Sequence, residues 1–285
     1  MVNESTSDGS GDRVFLTTRV LSALIVPILV AAFMMLYLFS GDTGRLFAWP
    51  VKPPMSALML GGTYLGGAYF FTIAATTRRW HYVSLGFLPV TAFAAILGIA
   101  TILHWDRFTH GHISFELWAF LYFTLPFVIP VVWYRNWRAT QGLKETDERK
   151  LPRVLRVATA VLGGVLVAAS IVLLLFPDVM IPFWPWALTA LTARVLAAMF
   201  ALSGLVGLGV TVDGRWSAAR TPFQAQIISI ALILLGLVIA RGDVAWSRWE
   251  TWLFVAGLLL ELAVIGWAAA WARGSSVVGP PDAPA

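Results

Sequence analysis

LSALIVPILVAAFMMLYLF, residues 21–39, decides the fold, because it runs unbroken without a single charged side chain. A hydrocarbon core of roughly 30 Å is crossed by about 20 apolar residues in a helix. VLGGVLVAASIVLLLF, residues 161–176, carries the same signal. A closed barrel would show short segments of alternating polarity, and neither stretch alternates. A helix satisfies its backbone hydrogen bonds within the segment, which is what hydrocarbon demands. Eight stretches qualify as spans: 16–39, 56–76, 83–103, 115–135, 154–176, 187–211, 224–240 and 250–271.

Composition agrees. The 285 residues are 59% hydrophobic and 12% charged, with a mean hydropathy of +0.78, whereas a soluble domain is about 25% charged. Little chain is left for a soluble domain. The opening MVNESTSDGSGDR lacks the basic start and cleavage site of a signal peptide, so the first span is expected to be retained. With no cysteine, disulfides, thiolate metal sites and cysteine catalysis are excluded. The expected organisation is a disordered cytoplasmic N-terminus (1–14), a first four-helix unit (15–140), a charged cytoplasmic linker (141–153), a second four-helix unit (154–273) and a disordered tail (274–285).

Orientation follows from lysine and arginine in short loops. Placing the N-terminus, the loops near 80, 145 and 215 and the C-terminus on one side gathers fourteen of the twenty basic residues; five fall opposite, and Arg194 lies in a span. Both termini are therefore expected in the cytoplasm, in a bacterial inner membrane. The high pI is then a topology signal, and nucleic acid is not an expected partner. The expected partners are the lipid bilayer and either a membrane protein or further copies of the chain.

The fourth and eighth spans share landmarks at a constant offset of 134: Glu116 with Glu250, Trp118 with Trp252, Trp133 with Trp267, Trp137 with Trp271. Upstream the offset is 136, pairing Phe47 with Phe183, Arg79 with Arg215 and Trp80 with Trp216, and Asp106 pairs with Asp243 at 137. The fold class expected is all-α: eight transmembrane helices as two parallel four-helix repeats, related by an axis along the bilayer normal as in parallel-repeat transporters. A binding site would lie between the units. The alternative is duplication that only enlarged the bundle.

Pro27, Pro89, Pro126 and Pro130 interrupt first-half spans and remove helix hydrogen bonds; the second-half spans are expected to have none inside. The fourteen tryptophans read as interface anchors. In GGTYLGGA, Gly62 and Gly66 stand one turn apart and suit close helix packing.

The most distinctive stretch is WPWALTALTAR, 184–194. Through Trp184, Pro185, Trp186, Leu188, Thr189, Thr192, Ala193 and Arg194 it resembles a motif of uncharacterised multi-pass membrane proteins of bacteria, and this resemblance implies a shared membrane fold without an activity. Pro185 suits the first turn of a helix. Arg194 would then lie about 12 Å deep, and Glu261, eleven residues past Glu250, about 16 Å deep. Either charge alone in hydrocarbon costs about 2.5 kcal/mol or more, so the two are expected to pair, as a functional centre or as a structural clasp.

His104, Asp106, His110, His112 and Glu116 share one outward loop, HWDRFTHGHISFE. Imidazoles and carboxylates can ligate zinc, but the spacing matches no zincin helix or finger. A solvated cap is the favoured reading; a metal or proton-sensing site is the alternative. No cofactor is expected, with zinc at this loop as the exception, and haem lacks two histidines on facing helices. No nucleophile–base pair or nucleotide loop is evident, so an enzyme is the weaker reading. The function expected is transport-like movement of a proton, small ion or amphiphile between the repeats; the alternatives are a non-catalytic accessory subunit and outward metal or pH sensing through the histidine loop.

Overall fold

The computed structural model describes residues 12–141 and 149–274; the expectations for 1–11, 142–148 and 275–285 fall outside the described residues. Among the described residues eight helices are long and apolar enough to span a bilayer: α1 (Leu16–Leu38), α2 (Pro54–Thr76), α3 (Ser84–Leu103), α4 (Ile113–Thr140), α5 (Arg153–Leu175), α6 (Ala190–Asp213), α7 (Trp216–Ile239) and α8 (Trp249–Gly274). The chain is a polytopic helical membrane protein. The final turn of α1, Met34–Leu38, is a π-helix.

Four helices make the centre. The α2 helix packs on α1 and α7, while α3 packs on α4 and α6 and α5 packs on α6. The contacts α2–α7 and α3–α6 thus join the N-terminal four spans to the C-terminal four. Small residues permit the first of them: a Cβ on Gly62 would lie 3.3 Å from the Ser229 carbonyl oxygen, and one on Gly66 only 2.5 Å from that of Ala225. In hydrocarbon, such close approach is what draws helices together. Tyr37 on α1 adds a hydrogen bond to the Leu232 carbonyl of α7 at 2.8 Å.

Both membrane faces are held by loop bonds that recur in the two halves. On the face away from the termini, Thr109 N–H donates to Ala48 O at 2.8 Å, and Ala245 N–H to Pro185 O at 2.8 Å. Ser114 Oγ donates to Leu46 O at 2.8 Å, as Arg248 Nη2 does to Pro182 O at 2.5 Å. On the face carrying the termini, Val14 N–H bonds Arg78 O at 3.0 Å and Leu151 N–H bonds Gly214 O at 2.8 Å. Gly214 holds φ +74° where α6 ends, the left-handed position that glycine takes without a Cβ penalty.

Three expectations need correction. The α6 helix starts at Ala190, so Pro185 is not in its first turn. Trp184–Trp186 instead form a bend before the helix, and Trp186 Nε1 reaches Ser56 Oγ of α2 at 2.9 Å. The cap is Thr189, whose Oγ1 accepts from Thr192 N–H at 3.2 Å, satisfying an orphan donor of the first turn. Second, Pro222 lies inside α7, which begins earlier than hydropathy alone suggested. Third, not every tryptophan is an interface anchor: Trp49, Trp80, Trp118, Trp184 and Trp186 are buried, whereas Trp249, Trp252 and Trp267 are exposed. Trp118 is drawn inward by its bond to Thr101 Oγ1 at 2.8 Å, and a buried indole needs such a partner.

Candidate functional site

The two intramembrane charges do not meet. With α6 starting at Ala190, Arg194 lies only about 6 Å into the helix, while Glu261, at the midpoint of α8, lies about 18 Å from that helix's start. The register of α6 thus leaves Arg194 close to the membrane face. Arg194 Nε donates to Leu174 O at 3.1 Å, near the end of α5, and Nη1 lies 2.7 Å from His104 Nε2. His104 sits just past α3, so this contact spans the two halves. Burial and then the Arg194 guanidinium, with a smaller push from Arg107 against the pull of Asp106, hold the His104 imidazole below its ordinary value of 6.5. A neutral His104 accepts a hydrogen bond at Nε2 from Arg194 Nη1.

The other residues of the histidine loop go separate ways. Asp106 pairs with Arg107 at 3.5 Å in solvent. His110 packs on Trp105 and Phe115. His112 Nδ1 accepts from Ser114 N–H at 3.2 Å and so caps α4, in whose first turn Glu116 stands. Among the described residues no three histidine or acidic side chains gather as a metal-ligand set.

Glu261 belongs to a different constellation. Its Oε1 accepts from Gln226 Nε2 of α7 at 3.1 Å, and Gln226 Nε2 also approaches Ser203 O of α6 at 3.4 Å. Glu261, Gln226 and Ser203 face a cavity of about 550 Å³. Thr63, Gly66 and Phe70 of α2 line it from the first half; Leu166 of α5 and Gly257 of α8 line it from the second. Val165 on α5 and Leu253 on α8 are both 62% exposed on its wall, which marks a lateral opening toward hydrocarbon. The remaining wall is mostly apolar.

Two buried polar atoms on this wall have no hydrogen-bond partner among the described residues, Gln226 Oε1 and Trp184 Nε1. Such orphans are uncommon in folded proteins and call for an explanation. Of the motif residues, Trp184 and Pro185 line the cavity, Trp186 bonds to α2, and Thr189 and Thr192 cap α6. Sequence reasoning missed Gln226 as the partner of Glu261 and His104 as that of Arg194. For Gln226 the signal was weak, since a span read as 224–240 puts it near the end, whereas α7 starts at Trp216 and carries it inside the helix.

This fold and cavity define a polytopic α-helical membrane protein whose buried polar centre is formed by α6, α7 and α8 of the second set of four spans, beside a cavity that α2 and α3 of the first set complete. Comparison with protein-family models, with curated proteins and with solved structures finds no match for the chain.

Proposed function

We propose that the chain binds an amphiphile within the bilayer, in the cavity between its halves, and carries it across the membrane. The observation that carries this reading is the cavity itself: mostly apolar, open toward lipid, with Glu261 and Gln226 at mid-depth. Ligand sites combine an apolar wall with a few placed polar groups, and ionisable residues inside a membrane mark pathways by default. A hydrophilic solute would find too few polar partners.

The same reading takes the halves as parallel four-helix repeats with both termini cytoplasmic. Matching loop bonds support duplication: Thr109 with Ala48 answers Ala245 with Pro185, and Ser114 with Leu46 answers Arg248 with Pro182, at offsets close to those of the sequence landmarks. The α2–α7 contact likewise answers α6–α3. The excess of arginine and lysine near the termini supports the orientation. Departures from symmetry fall at the cavity, since Tyr64 and Tyr122 are hydrogen-bonded and buried in the first half, where the second half stays open.

The test is transbilayer movement of a fluorescent single-chain amphiphile in reconstituted vesicles. The wild type is expected to speed it over protein-free vesicles, and Gly257→Trp, placed where a Cβ meets nothing within 4 Å, to return it to background. A wild-type rate equal to that of empty vesicles overturns transport and favours an accessory subunit.

A further inference from the structure

The polar inventory of the cavity has a sign. Its wall carries two carboxylates, Glu250 and Glu261, and no lysine, arginine or histidine. Glu250 is already paired with Arg248, at 3.0 Å and 3.3 Å. Glu261 receives an amide N–H from Gln226, and among the described residues no lysine or arginine lies within ion-pair distance of it.

Nearly everything else polar there accepts. Gln226 is 9% exposed, and its Oε1 has no partner. Ser229 Oγ and Thr63 Oγ1 each direct their proton to a carbonyl of their own helix, Ala225 O at 3.1 Å and Met59 O at 3.1 Å, which leaves only lone pairs for an occupant. The one buried donor on this wall without a partner among the described residues, Trp184 Nε1, belongs to the loop before α6, and Trp249, a second indole bordering the cavity, opens α8. Glu261 stands at mid-helix, so both donors lie outside the polar centre.

We propose that the occupant is a single-chain amphiphile with a cationic, N–H-bearing head, an alkylammonium, whose head bonds Glu261 and Gln226 Oε1 while its chain follows the apolar wall. This rests on reading the cavity as an amphiphile site and adds the chemistry of the head. An ammonium brings three donors and a charge opposite to that of a carboxylate, and charge-assisted hydrogen bonds are about twice as strong as neutral ones. A carboxylate head would meet Glu261 as a like charge. An alcohol offers one donor and no charge. The volume fits, since sites for small ligands span about 300–1,000 Å³.

Dodecylammonium, dodecanol and dodecanoate share a chain and differ in the head. Each is added to the full chain in zwitterionic lipid nanodiscs, with empty nanodiscs as the partitioning control, and binding is read by native mass spectrometry. Dodecylammonium is expected to bind at least about tenfold more tightly than dodecanol, with dodecanoate weakest. Glu261→Gln is expected to remove about tenfold of the ammonium affinity and much less of the dodecanol affinity, with thermal unfolding in nanodiscs reporting that the variant is folded. Gly257→Trp abolishes binding of all three. Equal binding of the three, or a preference for dodecanoate, overturns the cationic head and leaves the amphiphile site standing. Binding of none to the wild type overturns both.

Discussion

Arg194 Nη1 and His104 Nε2 lie 2.7 Å apart, which joins α6 of the second half to the end of α3 in the first. The bond requires a neutral imidazole, because a protonated ring has no lone pair to offer and would set a second cation beside the guanidinium.

Stability should therefore depend on pH at this contact. His104 is held below 6.5, chiefly by burial and then by Arg194, so the unfolded chain takes up the proton first. The contribution is complete above the unfolded value and is lost as pH falls through the folded one. Thermal unfolding in nanodiscs should show a fall below neutral pH that flattens in His104→Gln, which keeps an acceptor. An unchanged slope would rule out His104 as its source.

The same pair should couple energetically. In a double-mutant cycle of Arg194→Gln and His104→Leu, the interaction energy is expected to be about 0.5–3 kcal/mol, the range found for contacting groups. Additive effects would mean that the bond adds nothing to stability.

Gly66 should be intolerant where Gly164 is not. A Cβ on Gly66 meets the Ala225 carbonyl at 2.5 Å, whereas on Gly164 it meets nothing within 4 Å. Backbone cannot swing aside, so Gly66→Ala is expected to destabilise by about 1–3 kcal/mol, and Gly164→Ala to stay within about 0.5 kcal/mol. Denaturation of the two variants side by side is the measurement.

Asp243 Oδ2 accepts from Met55 N–H at 3.1 Å, so a loop of the second half caps the start of α2. Asp243→Ala should cost about 1 kcal/mol, the usual worth of such a cap, and Asp243→Asn much less. Equal losses in the two variants would argue against a capping role.

The spans were legible because hydrocarbon imposes one rule on every segment, a helix with apolar sides. Gly62 and Gly66 were legible for a related reason, as small residues admit a neighbour. The pairing of Arg194 was not. It depended on where α6 begins, and Pro185 gave the helix-start signal while Trp186 was pulled away by Ser56 and the cap fell to Thr189. An error of one helical turn shifts depth by about 5.4 Å, which is enough to exchange one polar partner for another. The second polar centre was half legible: Glu261 stood out as a charge, but its neighbours Gln226 and Ser203 come from α7 and α6, and a single sequence carries no record of which helices adjoin.

Reactivity of Glu261 toward a hydrophobic carbodiimide tests the central claim most directly, because that reagent reaches carboxyl groups through the lipid. Labelling mapped by peptide mass spectrometry should fall on Glu261 in the wild type, decrease when dodecylammonium is present and disappear in Gly257→Trp. A Glu261 that stays unlabelled in the wild type, or is labelled equally after the cavity is filled, would contradict an open binding cavity between the halves.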